Sequence, residues 1–206
     1  MKGILTVLSG FSGVGKGTVV ERMKEMHQFT LSVSCATRSP RPGEVDGVSY
    51  HFISQEEFDK RIDEDFFLEY AQYTNNSYGT PKQPVLEALE RGEDVLLEIE
   101  AQGAMQIKEK YPQALLIYVM PPSFMEVKNR LEKRGTETPD KIEKRLLRAL
   151  DEFPYIRKYD RIVINEEVAV CAKDVLDMIE NARMTPMHQD AFLTAIEEEA
   201  HQVLGK

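Results

Sequence analysis

An α/β fold, with a parallel sheet core covered by helices, is the architecture this sequence predicts, and three observations predict it. Short apolar runs recur at Ile4–Leu8, Asp94–Glu100, Ala114–Val119 and Arg161–Ile164. Segments of helical periodicity stand between them, the spacing of crossover connections in a parallel sheet buried on both faces. The first run also enters a glycine-rich turn that opens directly into a helix.

That turn is Gly10-Phe11-Ser12-Gly13-Val14-Gly15-Lys16-Gly17-Thr18, followed by Val19, Val20, Met23 and Met26 at helical spacing. Strand, glycine-rich turn and helix start form the context of a phosphate-binding P-loop. The glycines let several N–H groups converge, the helix N-terminus adds partial positive charge, and Lys16 adds a full one. The position after Lys16, where a Ser or Thr hydroxyl usually meets Mg²⁺, is Gly17, and Thr18 comes one place late.

Composition narrows the function classes. The 206 residues suffice for one sizeable core with small inserted lobes, and 42% hydrophobic with 30% charged residues suits a soluble globular protein. No apolar stretch approaches the roughly 20 residues that cross a bilayer, so no membrane partner is expected. The first residues lack a signal-peptide pattern, and Cys35 and Cys171 lie far apart without CxxC spacing. A cytoplasmic location follows as the expectation, with no protein-held metal centre. The net charge of −9 argues against nucleic acid as a partner. Residues 1–50 and 124–150 nevertheless hold more Lys and Arg than acids, which can focus a small anion into a cleft.

The remaining elements follow in order. Phe29–Ser34 reads as a short strand. In the next loop, stiffened by Pro40 and Pro42, Arg38 and Arg41 stand three apart. Two guanidinium forks so restrained suit a phosphate, and a solvated basic turn is the alternative. Val48–Ile53 alternates as a strand, and Ser54 with Glu57 starts a helix. Phe66–Tyr73 has strand propensity with Glu69 inside it, an acid that a wet strand face would explain. Asn75–Thr80 reads as a turn, Pro81 begins a helix to Arg91, and Gly92 ends it. Glu98 and Glu100 close the next strand on one face, at the edge where ligands bind in open α/β sheets. Helices are expected after Glu100, from Ser123 to Arg134, from Thr138 through Arg145 and Arg148, and over Val168–Ala182. The tail from Pro186 reads as one more amphipathic helix without chemistry.

Taken together, these residues resemble the guanylate kinases among the P-loop nucleoside monophosphate kinases. The resemblance spans about residues 3–183 and rests on ordered motifs. They are Gly10–Thr18, Ser34–Glu44, Gly47–Phe52, Phe67–Glu69, Tyr78–Pro81, Glu100–Gly103 and the run from Arg130 through Arg134 to Arg145. Glu100 stands where the family more often has Asp. The resemblance implies a P-loop NTPase-type core at about 1–32, 92–124 and 150–206, an inserted GMP-binding lobe at about 33–91 and a small helical lid at about 125–149.

It further implies transfer of the γ-phosphoryl group of ATP to GMP, and to dGMP, for purine nucleotide supply. Lys16, Arg38, Arg41, Arg134 and Arg145 would be catalytic. Gly10–Thr18, Arg130, Arg134 and Asn165 would bind ATP, which brings Mg²⁺. Ser34, Arg38, Arg41, Tyr50, Glu69, Tyr78, Thr80 and Glu100 would bind GMP. A nucleotide phosphate has its second pKa at about 6, so the attacking oxygen is already mostly deprotonated and no general base is needed. Guanine offers N1–H and a 2-amino group to a carboxylate, whereas adenine offers neither at those positions. The competing readings are a kinase of other base specificity, a regulatory NTPase, and a peptide-binding module without catalysis. Lys16, Arg38 and Arg41 speak against the last.

Overall fold

The computed structural model describes residues 3–73, 75–133 and 138–205. Strand β1 (Leu5–Gly10) is central in a parallel sheet of order β2-β7-β1-β8-β9, its partners being β2 (Thr30–Leu31), β7 (Val95–Glu98), β8 (Leu115–Met120) and β9 (Arg161–Ile164). Strand periodicity divides the apolar runs between two cores. Leu8, Leu96, Ile117 and Val119 join one face, packed by α1 (Lys16–Met26) and α7 (Val168–Arg183) through Val20, Met23, Cys171 and Val175. Leu5, Val7, Leu97 and Leu116 join the other, against α3 (Lys82–Glu90) and α4 (Ala101–Lys110) through Val85, Ala104 and Ile107.

A second sheet, of order β4-β3-β6-β5, forms a lobe from β3 (Cys35–Ala36), β4 (His51–Phe52), β5 (Phe67–Tyr73) and β6 (Asn76–Pro81). Helix α2 (Gln55–Asp63) covers it, with Phe58 stacked on Phe67 at 4.5 Å between ring centroids. The expected Ser54 cap is present, its hydroxyl accepting from the Glu57 amide at 3.1 Å. Helices α5 (Phe124–Lys133) and α6 (Pro139–Ile156) follow β8, and α8 (Asp190–Leu204) ends the chain. Phe192, Leu193, Ile196 and Val203 of α8 are all exposed. Among the described residues, no helix is long and apolar enough to cross a membrane.

Three expectations are corrected. Residues 76–81 form strand β6 rather than a turn; only Asn75, at φ 62°, takes the left-handed conformation, and the following Asn, Ser and Gly pair along β5. Cross-strand pairing overrides their turn preference. The strand expected over Val48–Ile53 shrinks to His51–Phe52, because the amides of Val48 and Ser49 fold back onto the Val45 carbonyl. Phe29–Ser34 pairs as a strand only at Thr30–Leu31, an edge with β7 as its single neighbour.

Asp94, just before β7, ties three elements together. It accepts from the Ile4 amide at 2.8 Å and from Arg183 Nη2 at 2.7 and 2.9 Å, with its side chain 9% exposed. Removing it takes from Arg183 its closer acid, leaving Glu180 at 3.3 Å, and strips the Ile4 amide of its acceptor. Asp94→Ala is therefore expected to lower stability by about 1–3 kcal/mol, read as an earlier midpoint in urea unfolding with an unchanged slope.

Candidate active site

The C-terminal ends of β1 and β7 open into a cleft of about 350 Å³ between the parallel sheet and the lobe. At one end, Gly13 and Gly15 take φ of 90° and 96°, conformations that let the loop curl before α1 begins. A Cβ on Gly15 would also lie 2.7 Å from Asn165 Nδ2. Lys16 Nζ crosses the loop and donates to the Gly10 carbonyl at 2.6 Å. From α6, Arg145 Nη1 donates to Ser12 Oγ at 2.7 Å, bringing a second cation over the loop.

The loop is braced from behind. Arg130 Nη1 and Asn165 Nδ2 both donate to the Val14 carbonyl, at 3.0 and 2.8 Å, and Arg130 Nη2 reaches the Asn165 carbonyl at 2.9 Å. Arg130, Lys133, Asn165 and Val168 border a second, shallower cavity of about 360 Å³ that shares Gly13, Gly15 and Thr18 with the cleft. Asn165 Oδ1, buried there, has no hydrogen-bond partner.

At the opposite end, Glu44 grips Arg38 through two hydrogen bonds, at 2.6 and 2.7 Å, and accepts the Arg41 amide at 2.7 Å. The Arg38 guanidinium beside it lowers the Glu44 carboxyl to about 2, and Glu44 in turn raises Arg38. Arg38 lies 4.9 Å from the Tyr50 ring centroid and 5.5 Å from that of Phe52, while its buried Nε is left without a partner. Tyr50 and Tyr78 meet edge to face at 6.0 Å. Between the two ends, Glu98 and Glu100 face the cleft. Strand β7 stops at Glu98 and Glu100 caps α4, so the expected alternation delivers both acids from a strand end and a helix start. Surrounding protein and the Glu100 charge push the Glu98 carboxyl up, opposed by Lys16.

Glu69 is the unusual group. It sits on β5, 3% exposed, accepting from Thr80 Oγ1 at 2.6 Å, with Ser34 Oγ 3.5 Å from the same hydroxyl. Burial pushes its carboxyl up to about 7, against the Thr80 hydrogen bonds and the more distant Lys110 charge. A wet strand face does not explain this acid.

The cleft thus brings together Phe11, Ser12, Gly13, Gly15, Lys16, Gly17 and Thr18 with Ser34, Arg38, Arg41, Tyr50, Glu69, Tyr78, Glu100 and Arg145. Gly10 and Val14 lie beneath the loop, Thr80 behind Glu69, and Arg130 with Asn165 on the far side. Arg134 lies outside the described residues. Sequence reasoning missed Glu44 as the partner of Arg38; the signal was an acid six residues on, across a Pro-Gly turn. It also missed Glu152 of α6, which accepts a hydrogen bond from Tyr118 of β8.

Comparison with known proteins adds an independent observation. The family model described as guanylate kinase matches residues 2–182. A guanylate kinase of Clostridioides difficile is 52% identical, covering 88% of this chain and 89% of its own. One of Clostridium tetani is 44% identical over 98% of both chains. The crystal structure of guanylate kinase from Anaplasma phagocytophilum superposes with a TM-score of 0.74 at 29% identity, covering 89% of this chain and 88% of that one.

The Glu69 shift has a sign that stability measurements can read. A carboxyl whose folded pKa is raised favours the fold while protonated, so stability falls as pH climbs from about 4.5 towards about 7. Glu69→Gln is expected to raise the melting temperature at pH 8, by a free energy on the order of 3 kcal/mol, and to match the unsubstituted protein near pH 4.5. An equal effect at both pH values would show that ionisation is not the cause.

Proposed function

The chain belongs to the guanylate kinase family, and on that premise we propose that the P-loop end of the cleft receives ATP while the Arg38 end receives GMP. The protein transfers the γ-phosphoryl group of ATP to GMP, giving ADP and GDP. One observation carries the division of labour: a single cleft is lined at one end by Lys16 and the loop, and at the other by Arg38, Arg41 and Glu69. The core, GMP-binding lobe and lid division stands as part of the same proposal, and it is supported by the separate second sheet between β2 and α3.

The chemistry requires two strongly negative groups to be aligned and their repulsion neutralised. Lys16 and the loop amides take the β- and γ-phosphates. Arg145, already at Ser12, stabilises the transferring group together with Arg134. Arg38, Arg41, Tyr50 and Tyr78, which line that end together, take the GMP phosphate. Arg130 and Asn165 border the cavity suited to adenine. An attacking oxygen with a pKa of about 6 needs no base.

Glu69, ionised, accepts from the guanine N1–H and 2-amino edge, helped by Ser34, Thr80 and Glu100. Adenine would leave the second oxygen of this buried carboxylate without a donor, at a cost of roughly 1–3 kcal/mol or more. dGMP presents the same base edge and is included as an acceptor.

Mg²⁺ arriving with ATP supplies charge neutralisation across the phosphates. The oxygen donors present suit it: Glu98 opens into the cleft near Lys16, and Thr18 borders the loop. A Cβ on Gly17 would meet nothing within 4 Å, so steric pressure does not account for the missing hydroxyl. Phosphate and water ligands with Glu98 and Thr18 in support therefore fit. Two buried free thiols, Cys35 and Cys171, suit a reducing cytoplasm.

ADP formation from ATP, measured with GMP, dGMP, AMP, UMP and CMP in turn, tests this. Activity is expected with the two guanine nucleotides, and preference for AMP would refute the base assignment. Lys16→Met should lower turnover by about 100-fold or more while the circular dichroism spectrum and melting temperature stay close to those of the unsubstituted protein.

A further inference from the structure

Gly103 is the third residue of α4, a place where glycine costs a helix about 1 kcal/mol relative to alanine. Its backbone does not call for glycine, since its φ is not among the positive values found at Gly13, Gly15, Gly43, Gly47, Gly92 and Gly205. Space is the reason. A Cβ there would fall 2.1 Å from Glu69 Oε2 and 2.9 Å from Glu69 Cδ. The carboxyl group occupies the volume that any other side chain would fill.

Neither partner has room to retreat. Gln106, one turn on, clasps Tyr70 from both directions: its Oε1 accepts the Tyr70 amide at 3.2 Å and its Nε2 donates to the Tyr70 carbonyl at 2.7 Å. Lys110, a further turn on, donates to the Leu68 carbonyl at 2.9 Å. Residues 103, 106 and 110 thus form one stripe of α4, fixed against β5 on both sides of Glu69. On its other side, Thr80 holds Glu69 Oε1 at 2.6 Å. Glu69 also lines the cleft, so its carboxylate has open space on that side.

We propose that Gly103 is a specificity-determining residue, the notch that seats the Glu69 carboxylate where it can read the purine edge. This rests on the reading that Glu69 contacts guanine. A methyl group at 103 drives the carboxylate off Thr80 and into the volume the base would occupy, so both the affinity for GMP and the preference for GMP over AMP depend on the absent side chain. Gly103 itself touches no reacting atom; it acts through Glu69.

Steady-state kinetics of Gly103→Ala test this. The KM for GMP is expected to rise by about tenfold or more, with the GMP-to-AMP ratio of kcat/KM falling and the KM for ATP unchanged. A GMP KM and ratio within about twofold of the unsubstituted protein would overturn the proposal. A thermal-unfolding cycle gives a second readout, and if the single variant fails to fold, recovery of folding in a Glu69→Ala background takes the place of its melting temperature. Gly103→Ala should lower the melting temperature when Glu69 is present and raise it in a Glu69→Ala background, where the helix preference and a 3.4 Å contact with Ile99 Cδ1 remain. Equal lowering in both backgrounds would also overturn it. Glu69→Gln separates the two layers: unchanged GMP use in that variant would refute base reading itself, whereas weakened use there with normal use in Gly103→Ala would refute only the notch.

Discussion

Mutual repulsion between two phosphate-bearing substrates is the constraint on which the arrangement of this molecule depends. It is met by collecting positive charge at one edge of a parallel sheet in a protein whose net charge is −9. Strand β1 ends there, its loop lines the cleft, and Lys16, the Arg38/Arg41 loop and Arg145 come from three different parts of the chain. The two cores behind the sheet keep that edge rigid. The braces on the Val14 carbonyl from Arg130 and Asn165 serve the same end, since the loop cannot spread without breaking both.

Acids are placed with equal economy. Glu44 preorganises Arg38 by occupying two of its donors and, with Tyr50 and Phe52 close by, fixes the orientation of the guanidinium. Glu69 is handled in the opposite manner. Among the described residues it has the Thr80 hydroxyl but no hydrogen-bonded cation, so its buried charge stays destabilised. One carboxylate stabilises a cation in advance, and the other leaves an unmet electrostatic demand for a ligand to satisfy.

Much of this was legible in the sequence, because the signals were local. The P-loop, the Ser54 cap, the apolar strands and the Arg38/Arg41 pair are each set by residues close together in the chain. Long-range effects were not legible. Residues 76–81 carry turn-forming Asn, Ser and Gly, yet strand β5 alongside recruits them into β6. Nothing in the neighbourhood of Glu69 announces that Thr80 lies across a hairpin from it. The partnership of Tyr118 and Glu152 joins positions 34 residues apart and shows no periodic pattern. The resemblance to guanylate kinases supplied the roles of Glu69 and Glu100 that local pattern alone left open.

Helix α6 is one unbroken element from Pro139 to Ile156. Its C-terminal half is anchored by Ile156 and Ala149 in the core and by Glu152 on Tyr118, and Ile142 buries the other half, so Arg145 stands between two anchors. The seven residues from Ile142 to Ala149 span about 10 Å. Over that length a tilt of about 10° would carry a guanidinium roughly 2 Å sideways, the difference between a hydrogen bond and none. The helix is a beam held on both sides of Arg145, so repacking around Tyr118 reaches that guanidinium only by moving Ile142 as well.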